Sequence, residues 1–149
     1  MTRKYLQPEF DRDCEIIANN IRRDNKKYDV IVALGRGGIP AGTRLGNLLN
    51  IPVEVVQYSL KDDTRAARML DFVNRFSLNT RFLIVDDISD SGTTLQEIAS
   101  FFDGTVFHTA TLVFKPQTSR YRPTYLATIH MGDAWIIFPW EEDLFATRV

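Results

Sequence analysis

The densest chemistry in the sequence lies in the stretch Phe82-Leu83-Ile84-Val85-Asp86-Asp87-Ile88-Ser89-Asp90-Ser91-Gly92-Thr93-Thr94-Leu95. An apolar run ends in two adjacent carboxylates, a third follows at Asp90, and hydroxyls around a glycine open the next helical pattern. Asp86 and Asp87, at the tip of a strand, are suited to accept hydrogen bonds from vicinal hydroxyls or to hold Mg²⁺ through water. Ser91, Thr93 and Thr94, together with the free N–H groups of a helix start, make a neutral cradle for a phosphate dianion. Gly92 lets the backbone approach that phosphate closely. A diol site beside a phosphate site is what a sugar phosphate requires. Asp and Ser are also ordinary helix caps. Capping, however, does not need two carboxylates at the end of a buried strand, where like charges cost stability unless a cation or hydroxyl partner is recruited.

A second anion site is implied by Leu34-Gly35-Arg36-Gly37-Gly38-Ile39-Pro40-Ala41-Gly42, a glycine turn between an apolar run and a helical pattern. Backbone amides in such a turn bind anions, and Arg36 adds a fixed charge suited to a pyrophosphate. The dinucleotide spacing G-x-G-x-x-G fails at Pro40, and no Gly-Lys-Ser/Thr follows for a nucleotide P-loop. A third group of residues suits a planar heterocycle, which needs an aromatic face, a donor for a carbonyl and backbone groups for its edge. Trp135, Lys115 and the main chain at Ile136 supply these in turn, although a lysine at a strand exit also simply reaches solvent.

These residues must be positioned by alternating strands and helices. Pro8 with Phe10, Ile16, Ile17 and Ile21 marks a leading amphipathic helix. Apolar runs over 28–34, 51–58, 82–85, 105–114 and 125–130 read as strands, and helices are expected after Pro40 and over 91–102. The first half of 59–80 is expected to be a mobile loop and the second a short helix through Met69, Leu70, Phe72, Val73 and Phe76. Alternation of this kind implies an α/β fold, a parallel twisted sheet flanked by helices, with ligands at the carboxyl ends of the strands. No repeat or linker divides the chain, so a single domain over 1–149 is expected.

Composition narrows the functions. Eighteen Lys and Arg against nineteen Asp and Glu leave a net charge of −1, which offers no global field for nucleic acid. The longest apolar runs, such as 135–140, fall far short of the ~20 residues that cross a bilayer, and the N-terminal residues lack a signal-peptide core, so a cytoplasmic protein with no membrane partner is expected. Cys14, His108 and His130 cannot build a disulfide or a Cys/His metal cluster.

Val-Asp-Asp-Ile-Ser-Asp-Ser-Gly-Thr-Thr at 85–94 resembles the phosphoribosyl-pyrophosphate (PRPP) signature of type I phosphoribosyltransferases. The resemblance implies that Asp86 and Asp87 bind the ribose hydroxyls and Mg²⁺. It further implies that Ser89, Asp90, Ser91, Gly92, Thr93 and Thr94 wrap the 5′-phosphate, and that Asp90 is the catalytic base beside the incoming purine. Arg36, Gly37 and Gly38 match that family's pyrophosphate loop, whose non-proline cis peptide would fall at Gly35–Arg36. Lys115-Pro116 and Trp135-Ile136-Ile137-Phe138-Pro139-Trp140 are similar to the 6-oxopurine branch, especially its short xanthine–guanine type. By that likeness Lys115 donates to the 6-oxo group, Trp135 stacks on the ring, the Ile136 carbonyl accepts a purine N–H, and the C-terminal segment forms a small hood. Tyr58 and Ser59 stand where related enzymes begin the loop that closes over PRPP. The implied activity is Mg²⁺-dependent transfer of phosphoribosyl from PRPP to hypoxanthine, guanine or xanthine, in a homodimer or homotetramer. A PRPP-sensing regulatory protein of the same fold, or a phosphoribosyltransferase for another base, are the alternatives.

Overall fold

A computed structural model describes residues 1–141. The chain opens with a short strand, β1 (Thr2–Lys4), and a helix, α1 (Gln7–Arg23), that carries Pro8 in its first turn. Then follow β2 (Val30–Gly35), α2 (Ile39–Leu49), β3 (Val53–Gln57), α3 (Arg65–Asn74), β4 (Arg81–Ser89), α4 (Thr93–Phe101), β5 (Val106–Phe114), β6 (Tyr125–Ile129) and β7 (Trp135–Ile137), closed by a 3₁₀ turn over Pro139–Glu141. Five strands form one parallel sheet in the order β3-β2-β4-β5-β6. Such a sheet is covered on both faces, which is why its strands read as continuous apolar runs. Ile31, Leu83 and Val85 pack beneath α1 and α2 with Ile17, Ile21 and Leu45, whereas Val30, Val32, Leu34, Phe82 and Ile84 face Met69, Phe72, Leu95 and Ile98 of α3 and α4. The strand order reverses between β2 and β4, whose carboxyl ends therefore open a crevice at the centre of the sheet.

Two features differ from the sequence-based expectation. β4 runs to Ser89 rather than stopping before Asp86, because Asp86, Ile88 and Ser89 continue the ladder with Thr111, Val113 and Phe114 of β5. β1 was not anticipated: it pairs in parallel with β7, so the hood combines the N-terminal strand with the C-terminal segment. The segment after Tyr58 follows the expected order, with turns over 59–64 leading into a short helix, α3, whose Met69 and Phe72 are buried. The single domain expected over 1–149 is described through residue 141, and 142–149 lie outside the described residues. No helix among the described residues is long and apolar enough to cross a membrane.

Met69 is fully buried and anchors α3 against the sheet. Met69→Ala is expected to lower unfolding stability by about 2–5 kcal/mol and to speed proteolysis within 59–80 before the rest of the chain. Denaturant melts with timed proteolysis check this; cleavage at the native rate would contradict the anchoring.

Candidate active site

Two adjoining cavities lie at the carboxyl ends of β2 and β4. The smaller, about 200 Å³, is lined by Asp86, Asp87, Ser89, Asp90, Ser91, Gly92 and Thr94 among others. The larger, about 990 Å³, is lined by Arg36 and Gly37 of the turn after β2, by Gln57, Tyr58, Ser59 and Lys61 after β3, and by Asp86, Asp87, Thr94, Trp140 and Glu141. Asp86, Asp87 and Thr94 border both, so the acidic strand tip stands between the hydroxyl cradle and the arginine turn.

Close approach explains the glycines. A Cβ on Gly37 would lie 2.5 Å from Asp87 Oδ2, and one on Gly38 would strike the Val85 carbonyl. The turn can therefore press against the tip of β4 only without side chains at both positions. The Gly35–Arg36 peptide is cis. Arg36 is exposed and makes no ion pair among the described residues.

The cradle is built from β4 into α4. Gly92 has φ of 81°, a left-handed conformation that side chains disfavour, and it lies beneath the backbone of Arg120 and Tyr121. The Ser91 hydroxyl donates to Thr93 Oγ1 at 3.2 Å and accepts from the Thr93 N–H at 3.3 Å. A brace missed in the sequence comes from 118–121: Thr118 Oγ1 donates to the Asp90 carbonyl at 2.8 Å, and the Arg120 N–H donates to the Ser91 carbonyl at 2.9 Å. Ser89 departs from its expected role as a phosphate ligand. It is buried, and its hydroxyl is spent on Ser119 Oγ at 2.7 Å and the Tyr121 carbonyl at 2.8 Å, so it holds the brace to β4.

The residues expected to meet a base gather under the hood. Lys115 is 5% exposed; its Nζ donates to the Ala134 carbonyl at 2.8 Å and lies 3.7 Å from Asp90 Oδ1. Its ammonium is thus tied to the hood and set beside Asp90 rather than reaching solvent.

 
Trp135 is 54% exposed, with its ring available for stacking, while the Ile136 side chain is buried. The Trp135 N–H donates to the Met1 carbonyl and the Ile137 carbonyl accepts from the Tyr5 N–H, so ladder alternation turns the N–H and C=O of Ile136 away from β1.

Tyr58, expected at the start of a closing loop, follows β3 directly. It is buried, and its hydroxyl donates to Glu97 Oε1 at 2.6 Å. Burial and then that carboxylate push the phenol up to about 12. Arg65 Nε donates to the same Glu97 oxygen at 3.0 Å, which fastens the 59–64 turns to α4, and Arg68 pairs with Asp62 at 2.5 Å. Ser59 and Lys61 are left on the cavity wall.

The phosphoribosyl transferase domain family model matches residues 2–144. The chain belongs to that family. Curated relatives of this phosphoribosyltransferase include the xanthine-guanine phosphoribosyltransferase of Gluconobacter oxydans, 30% identical over 138 residues that cover 89% of this chain and 80% of the relative. The enzyme of the same name from Ruegeria is 28% identical over 146 residues, covering 89% and 81%. Among solved structures, the purine phosphoribosyltransferase of Pyrococcus horikoshii superposes with a TM-score of 0.74 at 26% identity, covering 94% of each chain. The Helicobacter pylori xanthine-guanine-hypoxanthine phosphoribosyltransferase shares the fold at a TM-score of 0.73 and 19% identity, covering 99% of each chain.

Electrostatics set the acidic tip of this phosphoribosyltransferase apart. Burial, and then the adjacent Asp87 charge, hold the Asp86 carboxyl well above the ordinary carboxylate range, although Asp86 Oδ1 accepts the Asp87 N–H at 2.9 Å. Burial raises Asp87 to about 6, with Glu141 adding to the rise. Trp140 and Glu141 on this wall were not assigned a role from sequence; their Pro-Trp-Glu run at the end of an apolar stretch was the available signal.

Raised carboxyl pKa values mean that the folded state holds protons more tightly than the unfolded chain. The stability Asp87 supplies is complete below the ordinary carboxylate value and is lost as pH rises through about 6, and Asp86, also raised, acts in the same direction. Asp86→Asn and Asp87→Asn are therefore expected to raise Tm by about 2–5 °C at pH 7.5, with the gain shrinking toward pH 5. Thermal melts across pH check this, and variants that melt below the parent at pH 7.5 would contradict it.

Proposed function

We propose that this protein transfers the 5-phosphoribosyl group of PRPP to a 6-oxopurine, giving the nucleoside 5′-monophosphate and pyrophosphate, as a step of purine salvage. The observation that carries this reading is the placement of Asp86 and Asp87 between the hydroxyl cradle and the Arg36 turn, with both cavities meeting at the acidic tip. A ribose bearing a phosphate at one end and a pyrophosphate at the other has that layout. The kinship with xanthine-guanine phosphoribosyltransferases supports a purine as acceptor.

In this reading Ser91, Gly92, Thr93 and Thr94 receive the 5′-phosphate at the start of α4, where backbone N–H groups and the helix dipole favour a dianion. Asp86 and Asp87 accept hydrogen bonds from the ribose hydroxyls and fix the sugar. Arg36, with the amides of Gly37 and Gly38, takes the pyrophosphate, whose bond to the ribosyl carbon breaks as the purine nitrogen bonds to that carbon. Charge at the carbon is greatest as the leaving group departs, so a fixed guanidinium on the pyrophosphate lowers the barrier. Asp90 accepts the proton released from the purine ring nitrogen. Lys115 donates to the 6-oxo group once its ammonium turns from Ala134. A 6-amino group would set a donor against that ammonium, which disfavours adenine.

The donor set suits Mg²⁺, a hard cation that takes one or two carboxylates and completes its shell with water and substrate phosphates. Asp86 and Asp87 would hold it, and bound there it would neutralise charge on the pyrophosphate. Self-association belongs to the same proposal: β3 is a sheet edge, and its Val55 and nearby Leu60 are 46% and 42% exposed.

The deciding experiment incubates the protein with PRPP, Mg²⁺ and each of hypoxanthine, guanine, xanthine and adenine, and follows monophosphate formation. The 6-oxopurines are expected to react and adenine to fail; no product from any base would refute the assignment. Asp90→Asn is expected to lower kcat by about 10²-fold or more with PRPP affinity retained, as loss of a general base implies. Unchanged turnover in that variant would remove the base role.

A further inference from the structure

We propose that Tyr5 and Asp13 are positioning residues for the base site, holding the hood strand β7 in register with the main sheet. The inference rests on the purine-transfer reading above and extends it to two residues that are fully buried and line neither cavity.

The hood needs such a hold. β7 has three residues and pairs with β1, which also has three, and the two form a sheet of their own. A two-stranded ribbon this short is not stable in isolation. Trp135, the stacking residue, is largely exposed, so its placement follows that of the strand that carries it. Tyr5 follows β1 directly and ties the ribbon down in three ways. Its N–H donates to the Ile137 carbonyl at 2.8 Å, its ring packs against Phe138 with centroids 4.9 Å apart, and its hydroxyl donates to Asp13 Oδ2 at 2.5 Å.

Asp13 is the fixed end of this linkage. It sits on α1, and the oxygen that receives Tyr5 also accepts Thr128 Oγ1 of β6 at 2.8 Å. Its other oxygen accepts Arg12 Nε and Nη2, each at 3.2 Å. One buried carboxylate thus joins α1, an edge strand of the main sheet and the hood. A buried carboxylate tolerates loss of a donor poorly, because the exposed lone pair has no water to replace it. The linkage continues toward the ribose site: Phe138 stacks on Trp140 at 4.9 Å, Trp140 meets Phe10 of α1 edge-on at 5.5 Å, and Trp140 lines the larger cavity beside Asp87.

The chain has two tryptophans, Trp135 and Trp140, and both lie in the hood, so indole emission reports on this segment alone. Tyr5→Phe removes the hydroxyl and keeps the ring. The expected result is red-shifted emission, faster acrylamide quenching and unchanged far-UV circular dichroism. In steady state the purine KM should rise about 10-fold, with kcat and the PRPP KM within about 2-fold. Thr128→Val, which removes the other hydroxyl donor, should shift both readouts in the same direction by less, and provides the test should Tyr5→Phe fold poorly. Native emission, quenching and purine KM in both variants would overturn the proposal, as would equal rises in the KM of purine and PRPP. If the parent protein turned over no purine, the transfer reading would fail, whereas the emission and quenching comparison would still decide whether Tyr5 and Asp13 hold the hood.

Discussion

Two carboxylates side by side at the end of a buried strand are the constraint around which the crevice is built. Asp86 and Asp87 lie in surroundings that penalise charge, and burial first of all holds both carboxyls above their ordinary range. The rest of the crevice is arranged around them. Glycine at 37 and 38 lets the arginine turn come against the strand tip, and the α4 cradle opens beside it. The 118–121 brace then fixes that cradle from the neighbouring strand's exit. A site that is unfavourable when empty gains most from a ligand bringing hydroxyls and a cation, which is the chemistry of a metal-bound sugar phosphate.

The same economy of parts appears at the base end. Lys115 is buried with a carbonyl and a carboxylate as partners, and the strand above it is a three-residue ribbon held by Tyr5. In the proposed reading, the main sheet positions the phosphate and ribose groups, whereas a small appended element positions the purine.

Much of this was legible in the sequence because doubly covered parallel strands appear as unbroken Val, Ile and Leu runs. The acidic tip, the glycine turn and the hydroxyl cradle were local in sequence and could be read directly. What could not be read depends on contacts between distant segments. Thr2–Lys4 and Trp135–Ile137 are too short and too mixed to signal strands, and only their pairing makes them so. Nothing near Arg65 in the sequence points to its partner, Glu97 on another helix. Ser89 looked like a phosphate ligand by its place in the motif, yet alternation along β4 buries it against Ser119. The sequence pattern ends β4 early because the Asp86 and Asp87 carboxylates interrupt the apolar run while the ladder continues beneath them.

The central claim is that the strained acidic tip exists to grip the ribose of PRPP. Calorimetric titration of the protein with PRPP and Mg²⁺ at pH 6, in two buffers of different ionisation enthalpy, tests it most directly. Near that pH Asp87 is partly protonated, so ligand that needs both carboxylates ionised must displace protons. The account predicts proton release beyond that from the ligand's own phosphate, whose second pKa is also about 6, and less release when Asp86 and Asp87 are replaced by asparagine. Binding without that additional release, or undiminished binding to the asparagine variant, would contradict it.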